Sequence, residues 1–461
     1  MSKLWFESAL LPHGWIQGVR ITSGAEGLIE RIEEGIAPAA GDERHVIGVP
    51  GLPNVHSHAF QRGLAGLTER RGPTGDSFWT WRDLMYRFVE RVDPQGVEAI
   101  AALAYAEMLE GGLTHVGEFH YLHHDRGGVA FSNPGELATR IAAAAEQTGI
   151  GLTLLPTFYA HSGFGGAEPT VRQRRFINDV DSFARIVEAS RIAVRHLPGA
   201  TVGIAPHSLR AVTPDELTAI VPLAQGEAIH IHIAEQTKEV DDCIAWSGRR
   251  PIEWLLEAQP IDEQWCLVHA THATDAEVRA MAVRGTIVGL CPITEANLGD
   301  GVFPAPLFLR LNGRFGIGSD SNILLDGAEE LRILEYSQRL ALRARNVLAA
   351  EEGSTGRSLL EGALSGGARA LHSALGSGAR GPRTGALRAG ASADIVSLNA
   401  EHPALAERSG DEILDSWIFA AGRAVVDCVW RAGVKVVING RHHRRDALLG
   451  RYRDTLKELL A

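Results

Sequence analysis

Between residues 4 and 33, apolar runs are broken by Gly, Pro and Ser, and LWFESALL, GVRIT and GLIERIEEG read as short strands. From about residue 47 the pattern changes. Short apolar runs now alternate with longer stretches whose apolar residues recur at three- and four-residue steps, which predicts repeated βα units around a parallel sheet. The strand candidates are VIGVPGLPNVHSH, THVGEFHY, GLTLLPTFY, TVGIAPHS, AIHIHIAE, WCLVHA, GTIVGLC and FGIGSD, about the eight that a (β/α)8 barrel requires. Helical runs such as GVEAIAALAYAEMLEGG and the interval from Glu329 to Arg345 are expected in the outer ring. Past about residue 372 the Gly-, Arg- and Ala-rich SALGSGARGPRTGALRAGASAD reads as a structured turn region, because ADIVSL, VVDCVWRAG and VKVVING after it are again strand-like. The expected class is therefore α/β: a (β/α)8 TIM-type barrel over residues 49–372, with a small β-sandwich domain built from both chain ends, residues 1–48 and 373–461.

Composition narrows this picture. At 461 residues, with 45% hydrophobic and 22% charged residues, the chain can bury a large core. It has no run near the ~18 apolar residues that a membrane helix needs. Glu7 interrupts the only apolar stretch at the N-terminus and no small-residue cleavage site follows, so no export signal is expected. Cys243, Cys266, Cys291 and Cys428 are widely spaced without a C-x-x-C pair, which argues against a zinc ribbon or a disulfide framework and for a reducing cytoplasm. A net charge of −11 without a basic block makes nucleic acid an unexpected partner. An anionic small molecule would need specific arginines to reverse the local field.

Titratable residues collect at the C-terminal ends of the proposed strands: His56, His58, Tyr121, His207, His232, His269 and Asp320. In a barrel these ends open on one face, so the residues converge although they lie far apart in the chain. His56 and His58 alternate with Ser57, and on an extended strand both imidazoles point to one side. Imidazoles with a carboxylate suit zinc or iron rather than magnesium or calcium.

The order PGLPNVHSH, HIHIAE, LVHATH and GIGSDS resembles the amidohydrolase superfamily over nearly the whole chain. That resemblance implies one divalent metal, zinc with iron(II) as the alternative, held by His56, His58, His232 and Asp320. His207 stands where two-metal relatives carry a bridging lysine, which implies a mononuclear site. The phrases NVHSHAFQR, DSFWTWRDLMYR, GEFHYLHHD, HSLRAVTP, HIHIAEQTKEVDDC and CPITEANLGDG are similar to the formimidoylglutamate deiminases of histidine degradation. These hydrolyse N-formimidoyl-L-glutamate to N-formyl-L-glutamate and ammonia. The resemblance implies substrate contacts at Gln61, Arg82, Tyr121, His207, Arg210 and Glu235. It also implies a general base at His269, assisted by Asp320, and proton shuttling by Glu235.

The residue types suit that chemistry on their own terms, since guanidinium forks are bidentate partners for the two carboxylates of a small dicarboxylate. Arg82 and Arg210 are the candidates. Their competing reading is a surface ion pair, and that of Glu235 is a solvated acid at a helix start. The expected partners are the dicarboxylate substrate and a second copy in a homodimer, with neither nucleic acid nor membrane. Two other functions stay open: a nucleobase or nucleoside deaminase on the same scaffold, with FWTW stacking a base, and a catalytically silent scaffold. His123, His124, His442 and His443 are expected to face solvent, and PTFYAHSGFGG with His161 is a candidate loop over the site.

Overall fold

The computed structural model describes residues 2–71, 76–371 and 384–461. The strands are β1 Ser2–Leu11, β2 Gly14–Ser23, β3 Ile29–Glu33, β4 Glu43–Pro50, β5 Leu52–Ser57, β6 Leu113–His120, β7 Gly151–Phe158, β8 Thr201–Val202 and β9 Ala205–Pro206. There follow β10 Ile229–Ile233, β11 Trp265–His269, β12 Ile287–Leu290, β13 Arg314–Ile317, β14 Ile395–Leu398, β15 Val426–Arg431, β16 Val434–Ile438 and β17 Arg441–His442.

Strands β5 to β13 form one parallel sheet ordered β10-β11-β12-β13-β5-β6-β7-β8, with β9 also pairing with β7. Parallel bridges Ile204↔Ile229 and Ser208↔His232 join its two ends, and the sheet closes as a barrel. Each strand buries every residue from β5 to β7, and helices lie between successive strands, as an all-parallel sheet demands. Both chain ends build a second, eight-stranded sheet ordered β17-β16-β15-β14-β4-β1-β2-β3. Phe6, Val19, Ile21, Ile395 and Trp430 are among its core residues.

Two expectations are corrected. VIGVPGLPNVHSH is not one strand: β4 pairs with β1 and β14 in the second sheet, and the chain changes sheet at Gly51 to enter the barrel as β5. A Cβ on Gly51 would collide with the Thr114 side chain, and its N–H donates to the Asp394 carbonyl at 3.0 Å. The helix Pro94–Glu110 lies in the outer ring between β5 and β6, as expected, but it is buried along almost its whole length. The C-terminal helix Arg445–Leu460 packs over it, and Arg445 pairs with Glu107 at 2.8 Å and Glu110 at 2.9 Å. His123 and His442 do not face solvent. Both are buried, donating through Nε2 to the carbonyls of Thr157 and Thr148 at 2.9 Å. His124 is half-buried against the Ile177 carbonyl, and His443 is exposed.

Residues 384–394 of the expected turn region pack on the second sheet, where Ile29 N–H donates to the Ala391 carbonyl at 2.8 Å. The remainder of that segment, including the expected boundary at 373, lies outside the described residues. Among the described residues no helix is long and apolar enough to cross a membrane.

Candidate metal and active site

The C-terminal ends of the barrel strands bring His56, His58, His232 and Asp320 into one buried group. Nε2 of His56 lies 3.2 Å from Nε2 of His58 and 3.0 Å from Nε2 of His232. Asp320 Oδ1 is 3.4 Å from His56 Nε2 and 3.3 Å from His58 Nε2. The tautomers are set from behind: Nδ1 of His58 donates to the Phe119 carbonyl at 2.9 Å, and Nδ1 of His232 to the His207 carbonyl at 3.0 Å. His58 and His232 therefore turn unprotonated Nε2 atoms toward one point, beside Nε2 of His56. Burial pushes His56 down to about 3 and also lowers His58 and His232, while the facing imidazoles outweigh burial and keep Asp320 ionised. Neutral imidazoles around a carboxylate are the protonation states that a divalent cation requires, so the donor set fits one.

Asp320 is clamped by its backbone. Its N–H donates to the His56 carbonyl and its carbonyl accepts from His58 N–H, both at 2.9 Å. Behind it runs a buried chain in which Asn54 Nδ2 donates to Ser319 Oγ at 2.7 Å, Ser319 Oγ to Asn322 Oδ1 at 2.7 Å, and Asn322 Nδ2 to Ser57 Oγ at 3.2 Å. Ala234, His269 and Asp320, which end three strand runs, have φ of +50°, +68° and +44°. Left-handed backbone at non-glycine residues is strained, and its concentration here marks the functional end of the barrel.

His269 sits beside the group, with Nε2 3.9 Å from Asp320 Oδ2 and 4.0 Å from Glu235 Oε1. Its Nδ1 meets Glu295 Oε1 at 3.1 Å. Burial opposes charge on this ring, but Glu235, Glu295 and Asp320 prevail and push its pKa up to about 10. Glu235 is buried rather than solvated, and burial raises its carboxyl to about 7. Glu239, fully buried, accepts from the N–H groups of Ala234 at 3.2 Å and Glu235 at 3.1 Å.

A cleft opens over these groups, lined by Gln61, Trp81, Arg82, Tyr121, Tyr159, His207, Arg210, Glu235 and His269 among others. Gln61 Nε2 donates to Tyr121 Oη at 2.8 Å, and its Oε1 is buried without a partner among the described residues. His207 lies outside the four-residue group, its Nδ1 3.1 Å from Ser208 Oγ. Arg210 is 3.9 Å from Glu235 and 4.0 Å from Glu239, beyond hydrogen-bond range. Its Nε and that of Arg82 are buried and unpartnered among the described residues. Neither is a surface ion pair. His161 lies 2.9 Å from Glu216, which ties down the loop expected over the site.

Sequence reasoning passed over Glu118, Glu239, Glu295 and Asn322. An acid four residues after Glu235 and the polar residue two after Asp320 were the available signals. Glu118, on β6, accepts from Ala59 N–H at 2.7 Å and so anchors the turn that carries Gln61. Burial raises its carboxyl to about 8. A raised carboxyl binds more protons folded than unfolded, so its contribution to stability is complete at low pH and is lost as pH rises through about 8. Glu118→Gln is expected to reduce the fall in Tm between pH 5 and pH 8.5, read by thermal melts. An unaltered pH dependence would contradict the assignment.

The barrel and its His/Asp group define the class: residues 47–436 match the Amidohydrolase family, and the chain belongs to that family, whose members use a divalent metal. Residues 1–46 match the Formimidoylglutamate deiminase HutF, N-terminal domain. Over 463 aligned residues, covering 100% of both chains, the protein is 49% identical to the formimidoylglutamate deiminase of Pseudomonas aeruginosa. It is also similar to the 5-methylthioadenosine/S-adenosylhomocysteine deaminase of Natronomonas pharaonis, at 30% identity over 78% of this chain and 75% of that one. Among solved structures, an amidohydrolase from Brucella melitensis superposes with a TM-score of 0.95 at 54% identity, covering 100% of both chains.

Proposed function

We propose that the chain hydrolyses N-formimidoyl-L-glutamate to N-formyl-L-glutamate and ammonia. The observation that carries this reading is the pair of guanidiniums, Arg82 and Arg210, whose Nε donors have no partner among the described residues and which line the cleft over the His/Asp group. Buried donors without acceptors call for an acceptor brought by the ligand, and a dicarboxylate brings two. The full-length likeness to a formimidoylglutamate deiminase supports the same substrate.

His56, His58, His232 and Asp320 would hold the cation, for which three imidazoles and one carboxylate favour zinc, with iron(II) next. When bound it supplies Lewis acidity that makes water nucleophilic near neutral pH. His269, steadied at Nδ1 by Glu295, presents Nε2 between Asp320 and Glu235; a cation held by Asp320 would offset the carboxylate charge that keeps a proton on this ring, and Nε2 then takes one proton from water as oxygen adds to the formimidoyl carbon. Glu235, with a pKa near 7, pairs with the cationic formimidoyl group and then carries the hydroxyl proton to the departing nitrogen. One C–O bond forms and one C–N bond breaks. The four cysteines are free and buried, which supports a reducing cytoplasmic setting.

Arg82→Met and Arg210→Met test the substrate. Each is expected to raise KM by roughly 30- to 1000-fold, the loss of a charge-assisted fork worth about 2 to 4 kcal/mol. Lysine should rescue only in part. Parent-like KM in both variants would remove the dicarboxylate from the reading.

A further inference from the structure

The indole of Trp79 is shared by three cations from separate elements. The Arg82 guanidinium lies 4.5 Å from its ring centroid, that of Arg210 5.9 Å and the Lys238 ammonium 6.0 Å. Trp79 and Arg82 stand on the helix Phe78–Val89, Arg210 follows β9, and Lys238 belongs to the helix Thr237–Ser247. Tyr86, one turn on from Arg82, lies 5.6 Å from the same guanidinium. Lys238 is neutralised by Asp242 at 2.7 Å. The two arginines keep donors free: Glu235 and Glu239 face Arg210 at 3.9 and 4.0 Å without hydrogen-bonding it, and Arg82 has an unpartnered Nε among the described residues.

Guanidiniums gathered in one half-buried place repel each other, and the usual remedy, a carboxylate, would occupy the donors that a substrate needs. An aromatic face offsets the repulsion through its quadrupole and takes no N–H. Trp79 does this from behind, since the cleft is lined by Phe78, Trp81 and both arginines but not by Trp79.

We propose that Trp79 is a positioning residue that sets the separation of the Arg82 and Arg210 guanidiniums and thereby selects the spacing between the substrate's two carboxylates. This rests on the deiminase reading above, in which those arginines bind the carboxylates. It assigns the preference for a glutamate over an aspartate chain to a residue that touches neither.

The test compares the parent with Trp79→Met, which keeps apolar bulk without a ring, and Trp79→Phe, which keeps a ring. The readouts are kcat and KM for N-formimidoyl-L-glutamate and N-formimidoyl-L-aspartate. Trp79→Met is expected to raise KM for the glutamate substrate about 10-fold with kcat within about 3-fold of the parent. The glutamate-to-aspartate ratio of kcat/KM should fall by roughly 5-fold, and Phe should restore most of both. On an Arg82→Met background the same change should add less than about 2-fold to KM. Trp79→Leu serves if the Met variant does not fold. An unchanged ratio, or an equal loss for both substrates carried by kcat as a packing defect would give, overturns the proposal. The two readings fail separately. A parent inactive on formimidoyl-glutamate sinks the deiminase reading, whereas arginine variants with raised KM beside a parent-like Trp79→Met sink only this one.

Discussion

Changing His56, His58, His232 or Asp320 to Ala is expected to remove bound metal and turnover together, lowering kcat/KM by more than about 10³-fold. The four donor groups leave little room for substitution. His58 and His232 have their Nδ1 protons committed to carbonyls, so only Nε2 is free to bind, and these nitrogens sit within 3.0 to 3.2 Å of His56 Nε2. Asp320 cannot withdraw, because its backbone is bonded to both His56 and His58. Loss of one donor therefore leaves three buried groups and an incomplete ligand set. Metal per chain by elemental analysis and ammonia release on the same samples check this. A variant with a full complement of metal and parental turnover would take that residue out of the group.

Glu235→Gln and His269→Asn should keep most of the metal and lose roughly 10²-fold or more in kcat, the loss expected of groups that move a proton in the transition state. Glutamine preserves the shape of Glu235, and Glu239 would still accept from the backbone at 234 and 235, so the turn is expected to survive. What glutamine cannot do is accept and release a proton near neutral pH. Asparagine at 269 retains a polar group towards Glu295 but lacks the imidazole nitrogen that faces Asp320 and Glu235. The measurement is kcat at saturating substrate with metal content on the same preparation. Unchanged kcat would end the assignment for that residue, and lost metal would move it into the group of ligands.

Much of this site was legible in the order of residues because barrel geometry turns sequence into place. His56 and His58 lie two apart at a strand end, and a strand's period of two keeps such residues on one side. His232, His269 and Asp320 end three further apolar runs, and all such ends meet on one face. What escaped depends on burial. Glu239 reads as an acid in the first turn of a helix, normally wet, and only the packed barrel shows it inside with two backbone donors. Asn322 matters only because the fold brings Ser57 of β5 against it, across 265 residues of chain. The helix Pro94–Glu110 carries apolar residues on most sides, and its cover comes from the last helix of the chain, which no local pattern announces. The strand run from Val46 to His58 reads as continuous because both halves are apolar. The collision that a side chain at Gly51 would meet is a tertiary fact.

Deimination of a formimidoyl dicarboxylate is the reaction proposed for this site, in which Trp79 of FWTW faces cations and Phe78 stacks on Trp81 at 6.0 Å. Its most direct test is ammonia release by the zinc-loaded protein from N-formimidoyl-L-glutamate, run beside 5-methylthioadenosine, adenosine, 8-oxoguanine, guanine and cytosine. Formation of N-formyl-L-glutamate with one ammonia per turnover, at a kcat/KM at least about 10³-fold above any base or nucleoside, is the predicted result. Preference for a base or nucleoside, or no ammonia from formimidoyl-glutamate with metal bound, would contradict it.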